Sequence, residues 1–99
     1  MSNKVTRDDI EANITHQYFF TAYDAACGGA EFGGYVSPEL QRLTFCMLVL
    51  KNGFVVTGES SCVDIANFDR VKGEKCAKDK AVDKVWALMG YELKSKLNQ

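Results

Sequence analysis

The chain has one proline, one histidine and no Cys-x-x-Cys pair, and no apolar run longer than Phe45 to Leu50. Each absence removes a class of function. With His16 as the sole histidine, any Ser-His or Cys-His dyad depends on it alone. At the end of a first helix it reads as a half-exposed group at the negative pole of the dipole. Cys27, Cys46, Cys62 and Cys76 are scattered, so a structural zinc would draw on four separate elements without the close ligand spacing such sites show. Free, packed thiols of a reducing compartment are the expectation. The apolar run is far short of the roughly 20 residues that span a bilayer. Met-Ser-Asn-Lys-Val-Thr-Arg-Asp-Asp at the start lacks the apolar core of a signal peptide, so an intracellular protein with no membrane partner is expected. A net charge of −1 leaves no basic excess, which disfavours nucleic acid as the main partner while allowing a local basic patch. Neither Gly-x-Gly-x-x-Gly nor Gly-Lys-Ser/Thr occurs, so the Gly-rich interval from Gly28 reads as a connector and not as a phosphate cradle. No catalytic constellation is assembled. The expectation is a protein that is not an enzyme and takes no cofactor and no metal.

What is present is a core and a hairpin. A hydrophobic content of 46% with 25% charged residues describes one domain over residues 1–99, with a flexible start at 1–4 and the connector at 28–37. Two β-prone runs, Leu43 to Leu50 and Phe54 to Val63, flank Asn52-Gly53. That dipeptide suits a two-residue type I′ turn. Such a turn sets Lys51 opposite Phe54, Val49 opposite Val56, Cys46 opposite Glu59 and Phe45 opposite Ser60. One face then carries Leu43, Phe45, Met47, Val49, Phe54 and Val56, and the other Thr44, Cys46, Leu48, Leu50, Val55, Thr57, Glu59 and Ser61. Both faces need cover.

Thr6 with Asp9 has the spacing of a capping box, and Val5 with Ile10 that of a hydrophobic staple, which predicts a helix from Arg7 to His16 or Tyr18. Thr21 with Asp24 starts a second, short helix closed by Gly28-Gly29. Phe32 and Tyr35 are the large residues able to anchor the connector. Ser37-Pro38-Glu39-Leu40 predicts one helical turn leading into the hairpin. Asn67 is the expected cap of a long last helix ending at Gly90. At about 100° per residue, Ala77, Val85 and Leu88 cluster, Val71, Val82 and Met89 widen the arc, and Trp86 and Phe68 close it. Lys78 falls inside that arc, where its stem can lie on apolar surface. The alternating tail from Tyr91 to Leu97 suits either a third strand or a helical end. The fold class is therefore α+β: two short N-terminal helices, a central antiparallel hairpin that becomes three-stranded if the tail joins it, and a long C-terminal helix on the Phe45/Met47/Val49 face.

Val5-Thr6 with Asp9-Ile10-Glu11, Leu43-Thr44-Phe45-Cys46, Asn52-Gly53-Phe54 with Val56-Thr57-Gly58-Glu59-Ser60, and Asn67-Phe68-Asp69 with Gly73, Ala77, Ala81-Val82, Lys84, Trp86 and Gly90-Tyr91-Glu92-Leu93 together resemble a family of small tailed-phage proteins. The family is named for the gene 49 product of one enterobacterial podophage and the gene 66 product of another. The likeness runs from Val5 to Leu93 and is weakest over Gly28 to Ser37. Asp64-Ile65-Ala66 departs from it, since relatives tend to have a proline there. The resemblance implies a viral accessory protein at work in a bacterial cytoplasm and brings no catalytic residues. A looser likeness links Lys75-Cys76-Ala77-Lys78-Asp79-Lys80-Ala81 to the double-stranded-RNA-binding domain, whose helix-start lysines lie against phosphates. Glu74 and Asp79 interrupt that cluster.

The functional expectation is a phage accessory protein that binds a host or viral macromolecule, most simply a protein, in host takeover or counter-defence. The alternatives are a double-stranded-RNA binder and a small-molecule or signalling-nucleotide binder. Glu59 and Ser60 at the polar end of the hairpin, and Lys75 and Lys78 on the helix, are the candidate binding residues. A salt-bridged Glu59 at an exposed strand end is the plainer reading of that segment. Leu48, Leu50 and Val55 form an apolar patch away from the long helix. Cover by the N-terminal helices is the plainer expectation, and a twofold homodimer through the patch is the alternative.

Overall fold

A computed structural model describes residues 3–29 and 34–99, apart from the side chain of Ile65. Phe32 and Gly33 of the expected connector lie outside the described residues, and Tyr35, expected as an anchor, is 82% exposed. In chain order the elements are α1 (Arg7–Asn13), β1 (Ile14–Thr21), α2 (Ala22–Cys27), a 3₁₀ turn at Pro38–Arg42, β2 (Leu43–Leu50), β3 (Val55–Ser61), a second 3₁₀ turn at Ile65–Asn67, and α3 (Arg70–Leu97). The strands form one antiparallel sheet in the order β1-β2-β3. The fold is α+β.

Both N-terminal capping boxes form. The Thr6 hydroxyl accepts from Asp9 N, and Thr6 N donates to the Asp9 carboxylate; Thr21 and Asp24 repeat the exchange at α2. The first helix nevertheless stops at Asn13, short of the expected His16. From Ile14 the chain is rich in Thr and aromatic residues, which suit a pleated surface better than a helix, and it pairs along the free edge of β2. Asn13 makes the junction, because its main-chain and side-chain oxygens both accept from Lys51 N at 3.0 and 3.2 Å. The third strand is thus β1 and not the C-terminal tail.

The hairpin turn differs from the expected type I′. Among the described residues no non-glycine residue has positive φ, so Asn52 does not; Gly53 alone of the pair does, at +87°. Leu50 N donates to Phe54 O and Gly53 N to Leu50 O, each at 2.9 Å. This is a three-residue loop with glycine at the left-handed position, the next commonest hairpin solution. It moves β3 by one residue, so Leu48 faces Val56, Cys46 faces Gly58 and Phe45 faces Glu59. A one-residue slip transfers every side chain of a strand to the other face.

The covered face is consequently the one carrying Thr44, Cys46, Leu48, Leu50, Val56 and Gly58, all buried. The expected helix face, Phe45, Met47 and Val49, is only half-buried and lies on the opposite side. Leu48 and Leu50 are therefore core and not an interface, and Val55 has left them for the outer face at 48% exposed. Ile10 of α1, together with Ala77, Ala81, Val82 and Val85 of α3, completes the core, and Val5, Ile14, Phe19 and Met89 pack around it.

Helix α3 comes close enough to touch β3 with its backbone. A Cβ on Gly58 would fall well under 3.0 Å from the Ala77 carbonyl oxygen and the Ala81 nitrogen, and one on Gly73 would stand 3.0 Å from Thr44 Oγ1. Gly73, Ala77, Ala81 and Val85 recur every fourth residue, so the contact row is narrow at its start. The helix is capped by Asp69, whose Oδ1 accepts from Val71 N and Lys72 N, and not by Asn67, which lies in the preceding 3₁₀ turn. It also runs through Gly90 to Leu97. No positive φ or proline interrupts it there, and a helix-interior glycine costs only about 1 kcal/mol. Leu93 remains half-buried, and Glu92 pairs with Lys96 at 3.5 Å. Val71 and Leu88, expected on the packed arc, are 75% and 43% exposed, and Trp86 is 37% exposed.

Candidate functional site

Among the described residues α1 and α3 cover one face of the sheet, and neither lies on the other. Three rows make the outer face: His16, Val49 and Val55; Tyr18, Met47 and Thr57; Phe20, Phe45 and Glu59. His16 stacks on Tyr18 with the ring planes 8° apart, and Phe20 stacks on Phe45 at 5.5 Å. Tyr18 is 51% exposed. Glu59 is the one carboxylate in these rows and lies at a corner. His16 belongs to this face and not to a helix end, and its Nδ1 lies 3.1 Å from the Thr15 hydroxyl.

The candidate binding residues do not converge. Glu59 is on the outer face, over a hollow shared with Phe45, Thr57, Lys80 and Lys84, and it belongs to none of the ion pairs among the described residues. Ser60, one residue on, is on the helix-covered side opposite Thr44. Lys75 is exposed. Lys78 reaches Glu11 of α1 at 3.5 Å, its side chain 24% exposed, which explains a lysine inside the apolar arc. Lys75 belongs to none of the ion pairs among the described residues, while the Lys78 ammonium is engaged by Glu11.

Sequence reasoning missed a cleft where β2, β3 and the start of α3 meet. It has a volume of about 210 Å³, and Arg42, Thr44, Ser60, Ser61, Phe68 and Lys72 are among its lining residues. Thr44 is 3% exposed and its Oγ1 has no hydrogen-bond partner among the described residues. An unpaired buried hydroxyl costs about 1–3 kcal/mol. The available signal was a threonine alternating with Cys46 and Leu48 on the buried side of a strand.

Among the described residues no three His, Cys, Asp or Glu side chains are grouped to hold a metal ion. The four cysteines are free thiols: Cys46 buried, Cys62 half-buried, Cys27 and Cys76 exposed. Burial pushes the Cys46 thiol above its ordinary pKa, away from the reactive thiolate. The Glu39 carboxyl is held below its usual value, first by the hydrogen bond from the Ser37 hydroxyl. Among the described residues no helix is long and apolar enough to cross a membrane.

A first helix, a three-stranded antiparallel sheet and a long closing helix define a small α+β protein. Residues 5–97 match the Phage protein (N4 Gp49/phage Sf6 gene 66) family. The chain belongs to that family and is a phage-encoded protein. No curated protein and no solved structure matches it.

Proposed function

We propose that this phage protein works by binding and not by catalysis, in the cytoplasm of the infected host, and that its partner is a host or viral protein docking on the open sheet face. The supporting observation is that face: Tyr18, Phe20, Phe45, Met47, Val49 and Val55 beside a single carboxylate, Glu59. Three strands about 4.8 Å apart and about 27 Å long present roughly 400 Å² of projected surface. The accessible apolar part of that face is smaller, and contiguous apolar patches of a few hundred Å² on a monomer are often functional. Lys80 and Lys84 border the face beside Glu59 and Thr57, but its three rows carry no lysine or arginine, which fits a protein partner better than the phosphates of nucleic acid.

The test compares the wild-type chain with a Tyr18→Lys/Val55→Lys double variant in affinity capture from infected cells. Both positions are about half exposed, so the fold should survive and circular dichroism can verify it. A protein retained by the wild type and lost from the variant is the expected result. If light scattering shows a dimeric mass that the variant halves, the protein docked there is a second copy. A partner held equally by both, or salt-sensitive retention of double-stranded RNA in place of protein, would overturn the reading.

A further inference from the structure

Away from the sheet face, and independently of the docking proposed there, the cleft at the start of α3 sets a few polar groups into a largely apolar wall that includes Phe68, Gly73 and Cys76. Arg42 brings a guanidinium with five N–H groups, of which Nη1 donates to Val63 O at 2.7 Å and Nε to Glu39 O at 3.5 Å. Lys72, on the first turn of α3, lines the same cleft. Neither cation is in an ion pair among the described residues, although the Arg42 charge acts on Glu39 at a distance. Ser60, Ser61 and Thr44 add hydroxyls, and the Thr44 hydroxyl is buried without a partner. The one acidic lining residue is Asp69, and its Oδ1 is already occupied as helix cap by Val71 N and Lys72 N.

Arg42 and Lys72 outnumber the one carboxylate, Asp69, and with the hydroxyls of Thr44, Ser60 and Ser61 they suit a small ligand that joins acceptor oxygens to an apolar body. We infer that this cleft binds a small phosphate-bearing molecule, its oxygens held between Arg42 and Lys72 and against the serine hydroxyls, with the Phe68 ring beside it. Charge-assisted hydrogen bonds from arginine and lysine to phosphate are the strong kind, and the positive pole of a long helix lies at the same end. The volume of about 210 Å³ admits a phosphate group with a small organic body.

The experiment is a titration of the ¹⁵N-labelled chain with inorganic phosphate at constant ionic strength, followed by amide chemical shifts. Saturable shifts confined to residues 42–44, 60–62 and 67–73 are expected. Lys72→Ala should raise the phosphate Kd at least about fivefold, and Lys75→Ala, an exposed neighbour outside the lining, less than about twofold. Phenyl phosphate in a second titration distinguishes the source: tighter binding that Phe68→Ala removes indicates an organic phosphate ester, and equal binding indicates the free ion. Lys72 is exposed, so its variant keeps the fold, and unchanged dispersion in the spectrum will verify this. Shifts that never saturate, that spread over all lysines, or that Lys72→Ala leaves unaltered would overturn the inference.

Discussion

Gly58 of β3 lies directly against the backbone of Ala81 of α3, closely enough that a Cβ on Gly58 would stand 3.0 Å from the Ala81 Cα and nearer still to its nitrogen. The atoms in the way are backbone, which cannot rotate aside as a side chain can. This one approach sets the height of α3 over the sheet and with it the packing of Leu48, Val56, Val82 and Val85.

Gly58→Ala should accordingly be among the most damaging single-methyl changes in the protein, costing about 3 kcal/mol or more in urea unfolding. Gly53→Ala should cost about 1 kcal/mol, because Gly53 has φ of +87° but open space around it. Gly90→Ala should have the opposite sign. Gly90 is in a helix with nothing near its missing Cβ, and alanine there should stabilise by about 0.5–1 kcal/mol. Equal effects at Gly58 and Gly90 would contradict the close approach.

The two sheet faces give the next prediction. Leu48 is fully buried under α3, whereas Met47, its neighbour, is half-buried on the outer face. Leu48→Ala should cost about 2–5 kcal/mol and Met47→Ala less than about 1.5 kcal/mol. Leu48→Glu should fail to fold, since its carboxylate would be buried without a partner. Soluble, folded Leu48→Glu protein would mean that the faces are interchanged.

That the residues of β3 were assigned to the wrong faces from sequence has one cause. Asn52-Gly53 correctly marked a hairpin, and the alternation of β2 correctly marked a two-sided strand, but the dipeptide serves both a two-residue and a three-residue loop, and these differ by one residue of register. Leu48, Leu50 and Val55 were read as one patch on that false register. The capping boxes at Thr6 and Thr21 were legible because each is a local exchange between residues three apart. The strand Ile14–Thr21 was not, because it follows a helix without a break and its state is decided by the free edge of β2 some thirty residues away. Periodicity likewise gave the arc of α3 around Ala77 and Val85 but not how much of it the sheet covers, which is why Val71 and Leu88 are exposed. Of the candidate site residues, Glu59 was seen without its aromatic surroundings, which are contributed by β1 and by the outer side of β2.

Lys78 and Glu11 tie α3 to α1 at 3.5 Å, with side chains 24% and 41% exposed. A double-mutant cycle with Lys78→Met and Glu11→Gln should give a coupling of about 0.5–1 kcal/mol, smaller in high salt, as for partly exposed pairs. The pair orients the helices more than it holds them, and a coupling above about 2 kcal/mol would show it to be far less solvated than the geometry indicates.

Thiol chemistry tests the core from a different direction. Cys27 and Cys76 are exposed and Cys46 is fully buried in the sheet beneath α3. Burial also raises the Cys46 pKa, so the attacking thiolate is scarce as well as shielded. Iodoacetamide at pH 8 should therefore label Cys27 and Cys76 within minutes, Cys62 more slowly, and Cys46 only through unfolding, with peptide mass spectrometry resolving the four sites. Because labelling of Cys46 then follows the population of open molecules, Gly58→Ala should accelerate it by about 100-fold or more, the factor that 3 kcal/mol implies, while Gly90→Ala should slow it. Prompt labelling of Cys46 in the wild-type chain would show that α3 does not stay seated on the sheet.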